Sequence, residues 1–193
     1  TINFKRMKVC GWNKYTQLDC VSNNNSNGDS FISPARNFHV DHSTLLSFST
    51  NYDHTAWVTL NGRCYLIGDN DEGKISGLLP KKRLLSDTEF TLQNDRGQPL
   101  KFLSVICGDY YTLYLVTETT SSTNHLVYCY FKHKPNPLFV NIGNRQPIAL
   151  FGGEEISCAV DSDGGVILIK ESIFKMANKE IESSYLPDGD KVI

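Results

Sequence analysis

Long apolar runs are missing from this sequence of 193 residues, and charge of neither sign dominates it. A membrane-spanning helix needs about 20 consecutive, mostly apolar residues, and no stretch reaches that length. The amino-terminal segment is basic but has no apolar core of the kind found in signal peptides. There are 19 lysines and arginines against 21 aspartates and glutamates, so the sequence gives no electrostatic footprint of a nucleic-acid-binding protein. These absences predict a cytoplasmic protein, with the nucleus as the alternative, that engages no membrane and no nucleic acid.

Motifs of common catalytic and cofactor sites are missing as well. The six cysteines form no CxxC pair and, together with the histidines, show no zinc-ligand spacing, so we expect buried free thiols. No glycine-rich phosphate-binding motif occurs. Residues 161–165 begin like a calcium-binding loop, but Ser172 stands where that loop requires glutamate, which favours a simple turn. We therefore predict a protein that is not an enzyme and holds neither a metal nor a cofactor.

Short alternating segments rich in Val, Ile, Leu, Tyr and Thr recur along the chain, separated by Gly, Asn, Asp and Pro. This pattern is typical of many short antiparallel strands. Asn61-Gly62 lies between two such segments and predicts a hairpin with a type I′ turn, and Asp163-Gly164 gives the same signal later. The tail has a helical composition up to Ser183. The predicted fold class is all-β.

Comparison of the sequence with itself reveals a repeat. Its two informative columns contain His54, Tyr111 and Ile156, and, three residues before each, Asn51, Gly108 and Gly153. A strand, a turn and a second strand follow each copy. Two further matches place Gly11 over Gly68 and Asn13 over Asn70. A repeat of about 50 residues with several strands is typical of a propeller blade. The repeat segments are 7–62, 63–119, 125–164 and 165–193, with a polar, disordered-looking loop at 22–34.

The segment FSTNYDHTAWV, residues 48–58, resembles the repeat of the regulator of chromosome condensation (RCC1) family. That pattern has two small residues, Gly, two free positions, His, Ser or Thr, and then alternating apolar residues. Asn51 stands where the family has glycine, and asparagine is the next-best residue for a left-handed backbone. GWNKYTQL and GDNDEGKISG resemble the second piece of the repeat. The resemblance weakens around Tyr111 and Ile156, which indicates a divergent member.

The resemblance implies a seven-bladed β-propeller, of which this chain contains three to four blades. We therefore expect the chain to be the N-terminal part of a longer protein, or to be completed by another chain. Alone, residues 1–193 are expected to aggregate or oligomerise, because stacked repeats need neighbours to bury their apolar faces.

We interpret His54 as structural, because its column contains isoleucine elsewhere and isoleucine cannot act as a base. His54→Phe is accordingly expected to cost stability modestly and to leave any binding activity largely intact. The full set of predicted structural repeat positions is Gly11, Asn13, Asn51, His54, Gly62, Gly68, Asn70, Gly108, Tyr111, Gly153, Ile156 and Gly164.

Propellers offer rigid faces with variable loops, so the predicted function is a non-enzymatic protein–protein interaction scaffold. The resemblance implies an alternative, a guanine-nucleotide exchange factor for a small GTPase, which needs no catalytic motif of its own. Candidate partner-binding elements are the loop 22–34 and the basic turn 80–85, with Lys81, Lys82 and Arg83.

Overall fold

The structure is a computed structural model that describes residues 8–12, 31–37, 44–69, 89–119, 123–131, 136–153, 156–170, 181–182 and 184–185, with the backbone alone for 8–12, 31–37, 170, 181–182 and 184–185. Within these residues it contains fifteen β-strands and no α-helix. The same part of the chain has no helix with the length and apolar character of a membrane span. The prediction of an all-β fold is confirmed.

The strands form one pair and three sheets. The pair consists of β1 (Lys8–Trp12) and β2 (Phe31–Asn37). The first sheet contains β3 (Leu45–Thr50), β4 (His54–Thr59), β5 (Cys64–Gly68) and β6 (Glu89–Phe90). The second contains β7 (Leu100–Cys107), β8 (Tyr111–Glu118), β9 (His125–Phe131) and β10 (Leu138–Asn141). The third contains β11 (Pro147–Gly152), β12 (Ile156–Asp161), β13 (Val166–Lys170) and β15 (Ser184–Tyr185), while β14 (Ile181–Glu182) adds to the edge of the second sheet.

Strand β8 shows why the sheets stack side by side. Leu113 and Leu115 face a core shared with the third sheet, whereas Tyr114 and Val116 face a core shared with the first. A strand buried on both faces has no polar face, which explains the unbroken apolar run in its sequence. The first strands of neighbouring sheets also pack together, β3 against β7 and β7 against β11. This arrangement is a partial propeller of a few blades.

Aromatic rings fill the core between the first and second sheets. The Phe90 ring stacks on Tyr114 with centroids 5.0 Å apart and meets the edge of Tyr130 at 5.3 Å. Phe102 packs against both Phe90 and Tyr114. Because β6 is only two residues long, Phe90 is the means by which this outer strand is fixed to the core.

Each sheet has a β-bulge at the same place in its first strand. The pairing of first and second strands shifts at Leu46, Leu103 and Ile148, which lie eight residues before His54, Tyr111 and Ile156. Bulges increase the local twist of a strand. The structural repeat therefore extends further upstream than the two sequence columns indicate.

Three turns share one geometry, and the predicted type I′ turn is wrong. In the turns 59–63, 94–98 and 161–165, a glycine N–H donates to the carbonyl of the first residue at 2.8, 2.9 and 3.1 Å. Gly62, Gly97 and Gly164 have φ of 80°, 71° and 82°. Leu60 and Asn61 are thus the central residues of the first turn, and Gly62 follows in the left-handed position, as in three-residue hairpin loops.

Two segment boundaries differ from the sequence predictions. Residues 31–34 of the predicted polar loop belong to strand β2, and residues 181–182 of the helical-looking tail form strand β14. The repeat segments end at positions 62, 119 and 164, which lie at hairpins between the second and third strands of each sheet. A sequence repeat therefore begins in the middle of one sheet and ends in the middle of the next.

Candidate functional site

The same backbone hydrogen bond closes the loop between the first and second strands in all three sheets. The backbone N–H groups of Asn51, Gly108 and Gly153 donate to the carbonyl oxygens of His54, Tyr111 and Ile156 at 3.0, 2.9 and 3.1 Å. Each acceptor is the first residue of its second strand. The two sequence columns thus correspond to one tight chain reversal, which places the column residue at the junction with the next sheet.

Asn51 fastens the first of these loops to the second sheet. Its Nδ2 donates to the Gly108 carbonyl oxygen at 2.7 Å. Its Oδ1 accepts the N–H groups of Asp53 at 3.1 Å and His54 at 2.9 Å. Gly108 cannot carry a side chain, because a Cβ there would overlap the ring of Tyr111. Asparagine at this position therefore supplies hydrogen bonds that glycine cannot.

His54 spans the junction between the first and second sheets. The side chain is fully buried, with Nδ1 2.8 Å from Asp53 Oδ1 and Nε2 3.0 Å from Thr112 Oγ1 of β8. Gly68, with φ of 121°, packs so closely that a Cβ there would lie 2.6 Å from His54 Cα. Because both ring nitrogens are engaged and no surface is exposed, the imidazole joins the two sheets.

The environment of His54 favours the imidazolium. Burial by itself lowers the pKa of this imidazole, but the neighbouring Cys107 sulfur and the hydrogen bond to the Asp53 carboxylate outweigh it and raise the pKa to about 9. At neutral pH both ring nitrogens then donate, Nδ1 to Asp53 and Nε2 to Thr112. Phenylalanine at position 54 would fill the space but leave Asp53 and Thr112 without this partner, so we expect His54→Phe to cost more than the modest loss expected from the sequence.

Tyr111 performs the corresponding task between the second and third sheets without a charge. Its hydroxyl donates to the Gly153 carbonyl oxygen at 2.8 Å and is hydrogen-bonded to the Ser157 hydroxyl. The ring is fully buried. Ser157 directly follows the column residue of the third sheet, as Thr112 does in the second. In both junctions the column residue of one sheet is hydrogen-bonded to a hydroxyl of the next sheet. That hydroxyl belongs to the residue directly after the next sheet's own column residue.

The third member of the column, Ile156, has no polar atom in its side chain and cannot form a hydrogen bond of this kind. Its side chain is 58% exposed, and Phe151 on the paired strand is 57% exposed. Ser157 and Ala159, which alternate with the outward residues of β12, are buried against the second sheet. Within the part of the chain that the structure describes, the outer face of the third sheet is therefore an open apolar face.

The first junction carries a second set of polar contacts along β3 and β7. The Ser47 and Ser104 hydroxyls are 3.2 Å apart, and Ser49 Oγ accepts the N–H of Cys107 at 2.9 Å. The residue of the third sheet that corresponds to Ser47 and Ser104 is Ala149, which has no hydroxyl. The free cysteines Cys64, Cys107 and Cys129 are buried, while Cys158 is half-buried.

Asp161 organises a turn. Its carboxylate accepts the N–H groups of Asp163 at 3.0 Å and Gly165 at 2.6 Å and pairs with Arg145 at 2.6 Å. Burial opposes ionisation, but the hydrogen bond from Arg145 and those from the two backbone N–H groups hold the pKa of Asp161 below its usual value. Among the residues with described positions, no group of three or more His, Cys, Asp and Glu side chains could hold a metal ion.

The remaining predicted positions divide into two groups. Gly11 lies in β1, Gly68 ends β5, and Gly62 and Gly164 occupy the left-handed turn positions. The candidate partner-binding residues Lys81, Lys82 and Arg83, together with Asn13 and Asn70, lie outside the residues that the structure describes.

No family model matches the chain. Human WBSCR16 superposes with a TM-score of 0.66 at 14% identity, over 98% of this chain and 55% of that protein. Prp20p from Saccharomyces cerevisiae superposes with a TM-score of 0.57 at 14% identity, over 86% of this chain and 41% of its own. The fold is that of an RCC1-type propeller. Yeast RCC1 (Prp20) in its complex with Kap60 superposes with a TM-score of 0.53 at 13% identity, over 88% of this chain and 42% of that protein. The chain thus spans about half the length of these RCC1-type proteins.

Proposed function

We propose that this chain is a protein-interaction scaffold that binds partners at one rim of the propeller. The observation that carries the proposal is the pair Tyr52 and Tyr110, which are 58% and 39% exposed. They lie in the loops between first and second strands of adjacent sheets, and therefore at the same rim. Aromatic side chains are enriched at the centres of protein interfaces and dominate their energetics.

The charge distribution supports this choice of rim. Asp69 and Asp109 lie at the tyrosine-bearing end of the sheets, beside the loops of Tyr52 and Tyr110. The arginine and lysine side chains that the structure describes, Arg63, Arg96, Lys101 and Arg145, lie at the opposite end. The partner favoured by this rim presents basic side chains around an apolar contact.

A matched pair of variants tests the rim. Tyr52→Ser combined with Tyr110→Ser removes both rings, whereas Leu60→Ser removes a side chain that is 64% exposed at the opposite rim. In quantitative pull-downs from cell extract, the double variant should lose a protein that the Leu60→Ser variant retains. Equal recovery of all proteins by the two variants would place the binding surface elsewhere.

Two further elements are proposed as partner contacts from their sequence. Deletion of residues 23–27 and, separately, charge reversal at Lys81, Lys82 and Arg83 test them in the same assay. Recovery of the wild-type set of proteins by both variants would restrict binding to the tyrosine-bearing rim.

The second candidate function is guanine-nucleotide exchange on a small GTPase. The observation that favours it is the likeness to Prp20p, whose structure was reported with its binding properties to Gsp1p and histones. Release of fluorescent GDP from a panel of small GTPases, followed by stopped flow, separates the two functions. Acceleration by this protein would favour exchange over a scaffold role.

We further propose that another sheet covers the outer face of the third one, supplied by C-terminal sequence or by another chain. The exposed side chains of Phe151 and Ile156 support this proposal, because isolated apolar faces of this kind favour association. Light scattering on residues 1–193 should show oligomers. A stable and cooperative monomer at micromolar concentration would contradict it.

A further inference from the structure

A short segment near the end of the chain pairs with two different sheets. In β14, Ile181 and Glu182 lie opposite Val140 and Asn141 of β10 in a parallel pairing. Only one residue separates β14 from β15, which pairs antiparallel with β13 of the third sheet. Residues 181–182 and 184–185 therefore lie along the outer edges of two neighbouring sheets.

Each of these pairings is short. The segment contributes two residue pairs to β10 and two to β13, whereas β8 and β9 share seven. Two pairs at a sheet edge bury little apolar surface and have low local stability. One residue spans at most about 3.6 Å, so the link at position 183 leaves little slack for one half to leave while the other stays.

We propose that strands β14 and β15 form a clip that couples the outer edges of the second and third sheets and opens as a unit. The edges of β10 and β13, which are 27 residues apart in sequence between Asn141 and Leu168, are then covered and uncovered together. Unpaired sheet edges are the places at which other chains add strands. The clip thus controls two edges with one opening event, independently of the tyrosine-bearing rim.

Native-state hydrogen exchange of the unmodified chain is the first test. At low urea concentrations, the segments 138–141 and 166–170 should exchange with the same urea dependence, while β8 exchanges more slowly. Different urea dependences for the two segments would show that they open separately and would overturn the proposal.

Proline variants give the second test. In an antiparallel pair only alternate residues donate a backbone hydrogen bond to the partner strand, and proline has no N–H to donate. Replacing both Ser184 and Tyr185 by proline therefore removes the hydrogen bond that β15 donates to β13, whichever of the two residues donates it. Ser184→Ala with Tyr185→Phe is the matched control. Exchange should rise about tenfold in both 166–170 and 138–141 in the proline variant, and in neither segment in the control.

The reciprocal variant, Ile181→Pro with Glu182→Pro, should raise exchange in 166–170 as well as in 138–141, because coupling between two sites acts in both directions. A rise confined to the segment next to the substituted residues, or no rise at all, would overturn the clip. If exchange in β8 also rises, the variant has lost the fold. The proposal then stands or falls on whether segments 138–141 and 166–170 of the unmodified chain show the same urea dependence.

Discussion

The two junctions between sheets use the same backbone position with different chemistry. Between the first and second sheets, a buried imidazole pairs with a carboxylate and reaches Thr112. Between the second and third, the phenol of Tyr111 reaches Ser157 and a backbone carbonyl. At these two junctions the column position holds a flat ring whose polar end is far enough from the backbone to form a hydrogen bond with the next sheet. Histidine forms this bond at the cost of a buried charge, and tyrosine forms it without one.

The largest effect is expected from removing the charged contact. His54→Phe should lower the free energy of unfolding by about 3–5 kcal/mol, because Asp53 then loses its cation in a site that is largely buried. Urea denaturation at pH 7 measures the loss. Thr112→Val is the control at the other end of the ring and should cost about 1 kcal/mol. If His54→Phe costs no more than Thr112→Val, the ion pair contributes nothing.

The charged junction should also make stability depend on pH. The pKa of His54 is about 9 in the folded chain and 6.5 when unperturbed, so its stabilisation is fully present below pH 6.5 and is lost as the pH rises through about 9. The difference in unfolding free energy between wild type and His54→Phe should shrink by about 3 kcal/mol between pH 6 and pH 10. A constant difference would show that folding does not shift the pKa of His54.

The neutral junction should be weaker. Tyr111→Phe keeps the ring but leaves the Gly153 carbonyl and the Ser157 hydroxyl without this partner, at a cost of about 1–2 kcal/mol. A double-mutant cycle with Ser157→Ala isolates the hydroxyl pair, and the two substitutions together should cost less than their sum. Strict additivity would mean that the two hydroxyls do not stabilise each other.

The smallest effect is expected at the open end of the column. Ile156→Ser changes a side chain that is 58% exposed, and at protein concentrations low enough to keep residues 1–193 monomeric it should alter the unfolding free energy by less than about 0.5 kcal/mol. Urea denaturation measures it under the conditions used for the other two positions. A larger loss would show that something already packs against this face.

Local signals in the sequence predicted the fold and the column because both depend on short stretches of chain. The reversal at Asn51 and His54, and the apolar alternation after it, recur within a few residues in every copy. What each column residue contacts lies in another sheet, 58 residues away for Thr112 and 46 for Ser157, and no single repeat contains that information. The contact of His54 with Thr112 was missed for this reason, whereas its ion pair with the adjacent Asp53 is local and could have been predicted from the sequence.

The bulges and the clip escaped prediction for a related reason. Leu46, Leu103 and Ile148 are ordinary strand residues by type, and the extra residue becomes visible only when the paired strand is known. Residues 181–185 have a composition that favours helix, but two sheet edges with unpaired backbone groups outweigh this weak local preference.

The offset between repeats and sheets has a consequence for how such a chain can change length during evolution. A duplicated copy of segment 63–119 would carry the last two strands of one sheet and the first two of the next. Inserting or deleting one copy therefore leaves no sheet cut in half and changes only the number of sheets. The same segment, excised as a peptide, would contain two half-sheets and no complete one. The unit of sequence repetition in this chain is thus not a unit that contains a whole sheet.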